Sequence, residues 1–384
     1  MLTKSVVGAL LLAALPVSAY QQDAAHAAAY TTQQLAPALS DSAFAALSAR
    51  ISEPGGFFDS DNLISNESSY LHVLGAMRRL GVTGGAYIGV GPDQSFSYIA
   101  QIRPRIAFIV DIRRDNLLQH LLFKALFEMA HDRVEYLALL TGRAIPNDAA
   151  QWKRKSIADV VELIDKTPAD ADQYETSRAM IRTKVKRYGI PLTPAELETI
   201  DHIHQAFFEA GLGLQFTSLG RAPRPYYPTL RSLLLEHDLA GKQLSYLATE
   251  DAFQFVKSLE GRNLIVPVVG NLAGDHALRE IGKVMTERGE TLSALYVSNV
   301  EFYLMREGSF DAFSASVRTL PHDSRSVIIR SYFGGGFYGS HPQSVPGYFS
   351  TQLLQTVDSF VSESAKGGYA TYMDLVSKHN LELK

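Results

Sequence analysis

The stretch Gly85-Ala86-Tyr87-Ile88-Gly89-Val90-Gly91-Pro92-Asp93 opens as a short apolar run and breaks at a pair of glycines. A helical pattern follows over Phe96–Ile102, and then a second apolar run, Ile106-Ala107-Phe108-Ile109-Val110-Asp111. Apolar runs of this length that do not alternate with polar residues fit strands buried on both faces. A helix between two of them is the repeating unit of a parallel sheet.

Upstream, Tyr70, Val73, Leu74, Met77 and Leu80 recur at helical spacing and Gly81 follows as a stop, which predicts an amphipathic helix over Ser65–Leu80. Downstream of Asp111, the positions Leu117, Leu118, Leu121, Leu122, Ala125 and Met129 form the inner face of another helix. From about 131 to 238 the strand rhythm stops. One helix there is well marked, with Thr193 as N-cap, Pro194 in the first turn, Glu196 completing a capping box and Gly211 at the far end. Three prolines keep Arg221–Pro228 out of a helix. Alternation resumes with strands expected at 244–248, 263–269, 292–297 and 326–333, and helices at 251–259 and 277–288. The expected fold is α/β: a Rossmann-like, doubly wound, mainly parallel sheet over 57–384, with a helical insertion at about 131–238.

The ends and the composition narrow the class. Met1–Lys4 is a short positive region, Val6–Leu15 an apolar one and Val17-Ser18-Ala19 a small-residue cleavage site, so residues 1–19 read as a secretory signal and the protein as exported, periplasmic or secreted. The apolar run is shorter than the roughly 20 residues of a membrane-spanning helix, and no stable span is expected after cleavage. Residues 20–56, rich in Ala, Gln and Ser, read as a linker or a loosely packed segment. The 384 residues carry a formal charge of −4 and no long basic run, which argues against nucleic acid as a partner. With no cysteine, disulfides, thiolate catalysis and Cys-type zinc sites are excluded.

In an open α/β sheet, ligands sit at the carboxyl ends of the strands. Gly89, Gly91 and Asp93 occupy that place after the first strand, where glycine lets the backbone approach a ligand. Asp111 ends the second strand about 20 residues later, the offset at which an acidic side chain accepts hydrogen bonds from ribose hydroxyls. An ordinary tight turn is the competing reading of the glycines taken alone.

With these residues in place the chain resembles the class I S-adenosylmethionine (SAM)-dependent methyltransferase superfamily, over about 65–130 and 244–333. A narrower resemblance, to a bacterial family of unknown function with a methyltransferase-like fold, rests on the strings Ser60–Glu67, Asn263–Gly274 and Leu295–Glu301. The resemblance implies SAM as cofactor, with Asp111 on the ribose and Gly89, Gly91 and Asp93 at the amino acid end. It also implies Glu250 and Asp251, after the expected third strand, near the adenine, and Asn271, after the fourth, at the cofactor and the reacting centre. Ser298 and Asn299 become substrate contacts, and Glu67 and Glu301 the candidate catalytic bases. Helix capping is an equal reading for Thr249, Glu250 and Asp251 and for the residues after 297.

The sequence departs from the superfamily pattern in two places. Gln94 and Ser95 stand where a third glycine falls, and Asn271-Leu272 leads into Ala273-Gly274 rather than a Pro-Pro-Tyr string, which argues against base methylation. No metal site is expected: His202 and His204 diverge on a helix, and Asp59, Asp61, Asn62, Asn66 and Glu67 miss the calcium-loop spacing. Nucleophile-elbow and phosphate-loop motifs are absent. The expected function is methyl transfer from SAM to an acceptor that the sequence does not name. The alternative is an exported, non-catalytic ligand- or protein-binding module on the same fold, with a small molecule as the expected ligand and no protein partner identified. An NAD-type oxidoreductase shares the glycine turn and acid but is the more distant option.

Overall fold

The two apolar runs flanking Phe96–Ile102 are strands, β1 (Ala86–Val90) and β2 (Ile106–Asp111), buried along almost their whole length and paired in parallel from Ala86 against Ile106 to Val90 against Val110. The protein is described here from a computed structural model covering residues 36–147, 149–221, 224–334 and 339–384; Pro37–Lys384 form one unit. Its sheet runs β3-β2-β1-β4-β5-β6, where β3 is Ile265–Val269, β4 Leu292–Ser298, β5 His322–Phe333 and β6 Ser350–Thr356. The first five strands are parallel and β6 is antiparallel to β5, a mostly parallel mixed α/β sheet. The chain moves outward from β1 to β2 and β3, then returns to the other side of β1 to lay down β4, so strand order reverses between β1 and β4.

Pro267 sits inside β3, which is tolerable because β3 is an edge strand and proline has no N–H to offer a further neighbour. Helix α1 (Asp41–Ile51) covers that edge: Ser48 Oγ donates to the Pro267 carbonyl at 2.7 Å and Ser52 Oγ accepts from the Val269 N–H at 3.1 Å. Phe44 and Ile51 are fully buried. Within the described part of the segment expected to be linker or loosely packed, Asp41–Ile51 is a helix seated on the sheet edge. Its large apolar side chains Phe44 and Ile51 face the sheet edge, while Ala43, Ala46 and Ala49 are exposed. The expected signal at 1–19 lies outside the described residues.

Two further elements differ from expectation. The helix expected over Ser65–Leu80 forms only as α2 (Leu74–Arg79). Before it, Ser65 Oγ accepts the Glu67 N–H at 3.1 Å and Ser69 Oγ pairs with Ser350 Oγ at 2.7 Å, so serine hydroxyls tie these residues to themselves and to β6. The strand expected at Leu244–Ala248 is a turn. Ser97 Oγ takes the Tyr246 N–H, and Arg133 donates to the carbonyls of Leu247 and Ala248, both at 2.8 Å. Side chains satisfy the backbone groups that a neighbouring strand would otherwise have paired.

Helices α3 (Gln94–Ile102) and α4 (Arg114–Met129) follow β1 and β2. Between α4 and β3 the described residues hold helices and no ladder strand: α5 (Arg133–Thr141), α6 (Ala149–Trp152), α7 (Ile157–Lys166), α8 (Ala171–Arg187), α9 (Pro194–Ala210), α10 (Leu230–Leu234) and α11 (Glu250–Gly261). The capping box of α9 forms as read: Thr193 Oγ accepts the Glu196 N–H at 3.2 Å and Glu196 accepts the Thr193 N–H at 2.7 Å. Helices α12 (Ala277–Arg288), α13 (Val300–Glu307), α14 (Phe310–Val317), α15 (Val357–Ala365) and α16 (Tyr372–Ser377) complete the unit. Among the described residues no helix is long and apolar enough to cross a membrane.

Candidate functional site

A cavity of about 410 Å³ opens at the carboxyl ends of the parallel strands, around the point where strand order reverses. Gly91 after β1, Asp111 at the end of β2, Asn271 after β3 and Ser298 at the end of β4 all line it, with Glu67 and Asn299. Six residues singled out from the sequence are thus brought together by the sheet. Among the described residues no group of three or more His, Asp or Glu is placed to hold a metal ion.

Gly91 has φ +79°, a left-handed conformation that glycine adopts without steric cost. The turn is held from behind by His120, whose Nε2 lies 3.0 Å from the Gly91 carbonyl. Burial pushes the imidazole down to about 4, so at neutral pH the ring is uncharged and donates this bond through Nε2–H. Gln94, at the start of α3, donates from Nε2 to Tyr296 Oη at 3.0 Å, while its buried Oε1 has no partner. Because an alanine at 91 meets the strained φ and presses its Cβ to 3.4 Å from Gln94 Nε2, Gly91→Ala is expected to cost about 1–2 kcal/mol in urea unfolding.

Asp111 is held by Arg113. Its Oδ1 accepts the Arg113 backbone N–H at 2.8 Å and Nε–H at 3.2 Å, and Oδ2 accepts from the guanidinium at 3.0 Å. The same guanidinium donates to the carbonyls of Ser60 and Asp61, at 3.0 and 2.7 Å, which ties the cavity wall at 57–62 to the end of β2. A carboxylate oxygen has two lone-pair sites, so Oδ2 keeps one for a ligand.

Glu67 is fully buried at the cavity floor. Its carboxyl meets the hydroxyls of Ser298 and Ser331, Tyr296 Oη at 2.7 Å and Gln352 Nε2 at 2.9 Å. Burial raises its pKa, and the four hydrogen bonds offset only part of that. The network accommodates a proton on Glu67. Ser331 Oγ is within reach of both Glu67 Oε2 and Gln352 Oε1 but has one proton to give. If it donates to Gln352, it accepts from a protonated Glu67, and every member is satisfied.

Ser298 itself has φ +53°, an uncommon conformation for a residue other than glycine. Backbone strain of this kind persists where the surroundings over-determine it and gathers at functional sites. Here it turns the chain sharply from β4 into α13 while keeping Ser298 Oγ on Glu67 and exposing Asn299 to the cavity.

The other sequence candidates lie elsewhere. Gly89 is inside β1, where a Cβ would fall 2.4 Å from Tyr87 Oη; its smallness makes room for a tyrosine rather than a ligand. Asp93 is buried behind the turn, accepts from Tyr246 Oη at 3.2 Å and is pushed up to about 6 by burial. Glu250 and Asp251 begin α11, away from the cavity: Glu250 accepts from Gln254 at 2.7 Å, and Asp251 pairs with Arg103 at the surface. Glu301 faces away from the cavity, its carboxylate paired with Arg330 at 2.6 Å between β5 and α13, a structural ion pair.

Sequence reasoning missed Gln94, Tyr296, Ser331, Gln352 and Arg113. Tyr296 and Ser331 sit inside strands that read simply as apolar, and Gln352 belongs to β6, a strand not anticipated. Arg113 carried a weak signal, two residues past an acid at a strand end. The search of curated proteins found no match. The model of a domain of unknown function (DUF7790) matches residues 63–376, most of the chain and every cavity residue from Ser65 onward, and the chain belongs to that family.

Proposed function

We propose that the cavity binds a SAM-type nucleoside cofactor and that the chain is a methyltransferase of Rossmann-like architecture. The observation that carries this reading is the convergence of Gly91, Asp111 and Glu67 on one cavity at the reversal of strand order, where open α/β sheets bind their ligands. The residues fit such a ligand. Gly91 leaves the backbone uncovered, Asp111 Oδ2 offers a lone pair to a ribose hydroxyl, and Gln94 Oε1 is a buried acceptor awaiting a donor. Because 244–248 is no strand, the roles move along by one: Asn271 follows the third strand and takes the adenine side, and Ser298 and Asn299 follow the fourth and face the reacting centre.

A bound sulfonium supplies an activated methyl group, so the protein has to align an acceptor and exclude water. Only the ionised form of Glu67 can take up an acceptor proton; burial makes that form a stronger base than a surface carboxylate and lowers its share, and Ser298 Oγ links it to the cavity as the route. The second reading, a binding module without catalysis, is favoured by the hold of Arg113 on three of the acceptor positions of Asp111. It also suits the export expected from residues 1–19, since SAM is made in the cytoplasm.

Titration calorimetry of the 384-residue chain with SAM and S-adenosylhomocysteine tests the proposal. Binding is expected, weakened about tenfold or more in Asp111→Asn with folding intact by circular dichroism. Absence of heat with both compounds overturns the SAM reading and leaves the second one.

A further inference from the structure

Among the described residues four large hydrophobic side chains are exposed, and two of them are at the mouth of the cavity with a third close by. Phe57, 79% exposed, and Tyr226 line the mouth, and Leu219 shares an adjoining hollow with Phe57 and donates its N–H to the Asp59 carbonyl at 2.8 Å. Exposed apolar side chains scattered singly mean little, whereas a cluster beside a cavity marks a binding surface. The cluster is aromatic in character. Tyr226 stacks on Phe349 with centroids 3.9 Å apart, and Phe58 meets Tyr303 edge-on at 5.1 Å.

One guanidinium at this mouth is placed to receive an anion. Arg224 stands 5.8 Å from the centre of the Tyr226 ring and has no carboxylate within ion-pair distance among the described residues. Arg306 stands 5.4 Å from the centre of the Tyr303 ring, and Arg221 is paired with Asp59. Glu307, exposed on the α13 side, is the remaining acid of the rim. Of the two arginines that line the mouth, Arg221 is held by Asp59, which leaves the Arg224 guanidinium to meet an anion. A patch of three exposed side chains falls far short of the roughly 20 residues a side that a stable protein interface uses, and the cavity has the dimensions of a small-molecule site.

We propose that this rim is a subsite for a small planar aromatic molecule carrying an anionic group, with the ring against Phe57 and Tyr226 and the anion on Arg224. Its role as the methyl-acceptor subsite rests on the SAM reading above; its affinity for an aromatic anion does not.

The test is ligand-observed NMR titration of the full chain with three probes, each with and without S-adenosylhomocysteine. They are 4-hydroxybenzoate, its neutral methyl ester, and cyclohexanecarboxylate, an anion without an aromatic ring. The expected result is binding of 4-hydroxybenzoate about tenfold tighter than either of the others, since one removes the charge and the other the ring face. Arg224→Gln and Phe57→Ser, both at solvent-exposed positions, are expected to abolish that preference while leaving the thermal midpoint unchanged. Equal binding of all three probes, no binding of any, or an unchanged preference in both variants overturns the proposal. Preference for 4-hydroxybenzoate without S-adenosylhomocysteine binding sustains the subsite and removes its acceptor role. Binding of S-adenosylhomocysteine without the aromatic preference does the reverse, overturning the subsite and sparing the SAM reading.

Discussion

Arg330→Met is expected to destabilise the protein by about 3–5 kcal/mol in urea unfolding, because it leaves the buried Glu301 carboxylate without its counter-charge. Both side chains are almost completely buried, and Arg330 also donates to Gln355 Oε1 at 2.8 Å. The pair therefore spans β5, β6 and α13, and either partner alone is worse than both or neither. The double variant Arg330→Met, Glu301→Gln is expected to recover at least half of the loss, since a neutral amide costs far less to bury than an ion. The same pair of variants tests the corrected place of Glu301. If it acted as a catalytic base, the double variant would be stable and unable to use its substrate; as a structural ion it is expected to leave ligand binding by the cavity unaltered.

Glu67→Ala is expected to have an effect of similar size, about 2–5 kcal/mol, from an unfilled cavity and from buried donors on Tyr296, Ser331 and Gln352 that lose their acceptor. Glu67→Gln keeps the volume and isolates the proton. For a carboxyl whose folded pKa is raised, both states are protonated at low pH and stability is complete. As pH climbs past the ordinary value of 4.5 the unfolded chain gains by ionising while the folded chain does not, so stability falls until the raised folded value is passed. Asp93, pushed up to about 6, and Glu260, pushed up to about 8, add slopes of the same sign. The informative quantity is therefore the difference between wild type and Glu67→Gln, which is expected to narrow steadily from pH 5 upward as the wild type loses stability relative to the variant. A difference independent of pH would mean that Glu67 is ionised in the folded protein.

Much of the sheet was legible because a strand buried on both faces announces itself locally: β1 to β5 fall on the apolar runs near 85, 106, 263, 292 and 326. Leu244–Ala248 has the same local look and is a turn, since a run of five residues says nothing about whether a neighbouring strand stands ready to pair with it. The reverse holds for β6, Ser-Thr-Gln-Leu-Leu-Gln-Thr, whose polar residues hid a buried strand. Gln352 and Gln355 are buried there because Glu67 and Arg330 need partners, a demand set by residues far away in the chain.

The cavity divides in the same manner. Gly91 and Asp111 were found from strand ends, and Asn271 and Ser298 from strand ends together with the resemblance, because a parallel sheet places the carboxyl ends of its strands on one side. Which polar groups meet there was a matter of tertiary structure. Glu67 lies 231, 264 and 285 positions from Ser298, Ser331 and Gln352, and its contacts with them follow from strand order and register. Apolar periodicity is local and survives in the sequence as a pattern. The raised pKa of Glu67, the reach of Arg113 to the carbonyls of Ser60 and Asp61 and the aromatic mouth depend on distances between segments that no local pattern encodes.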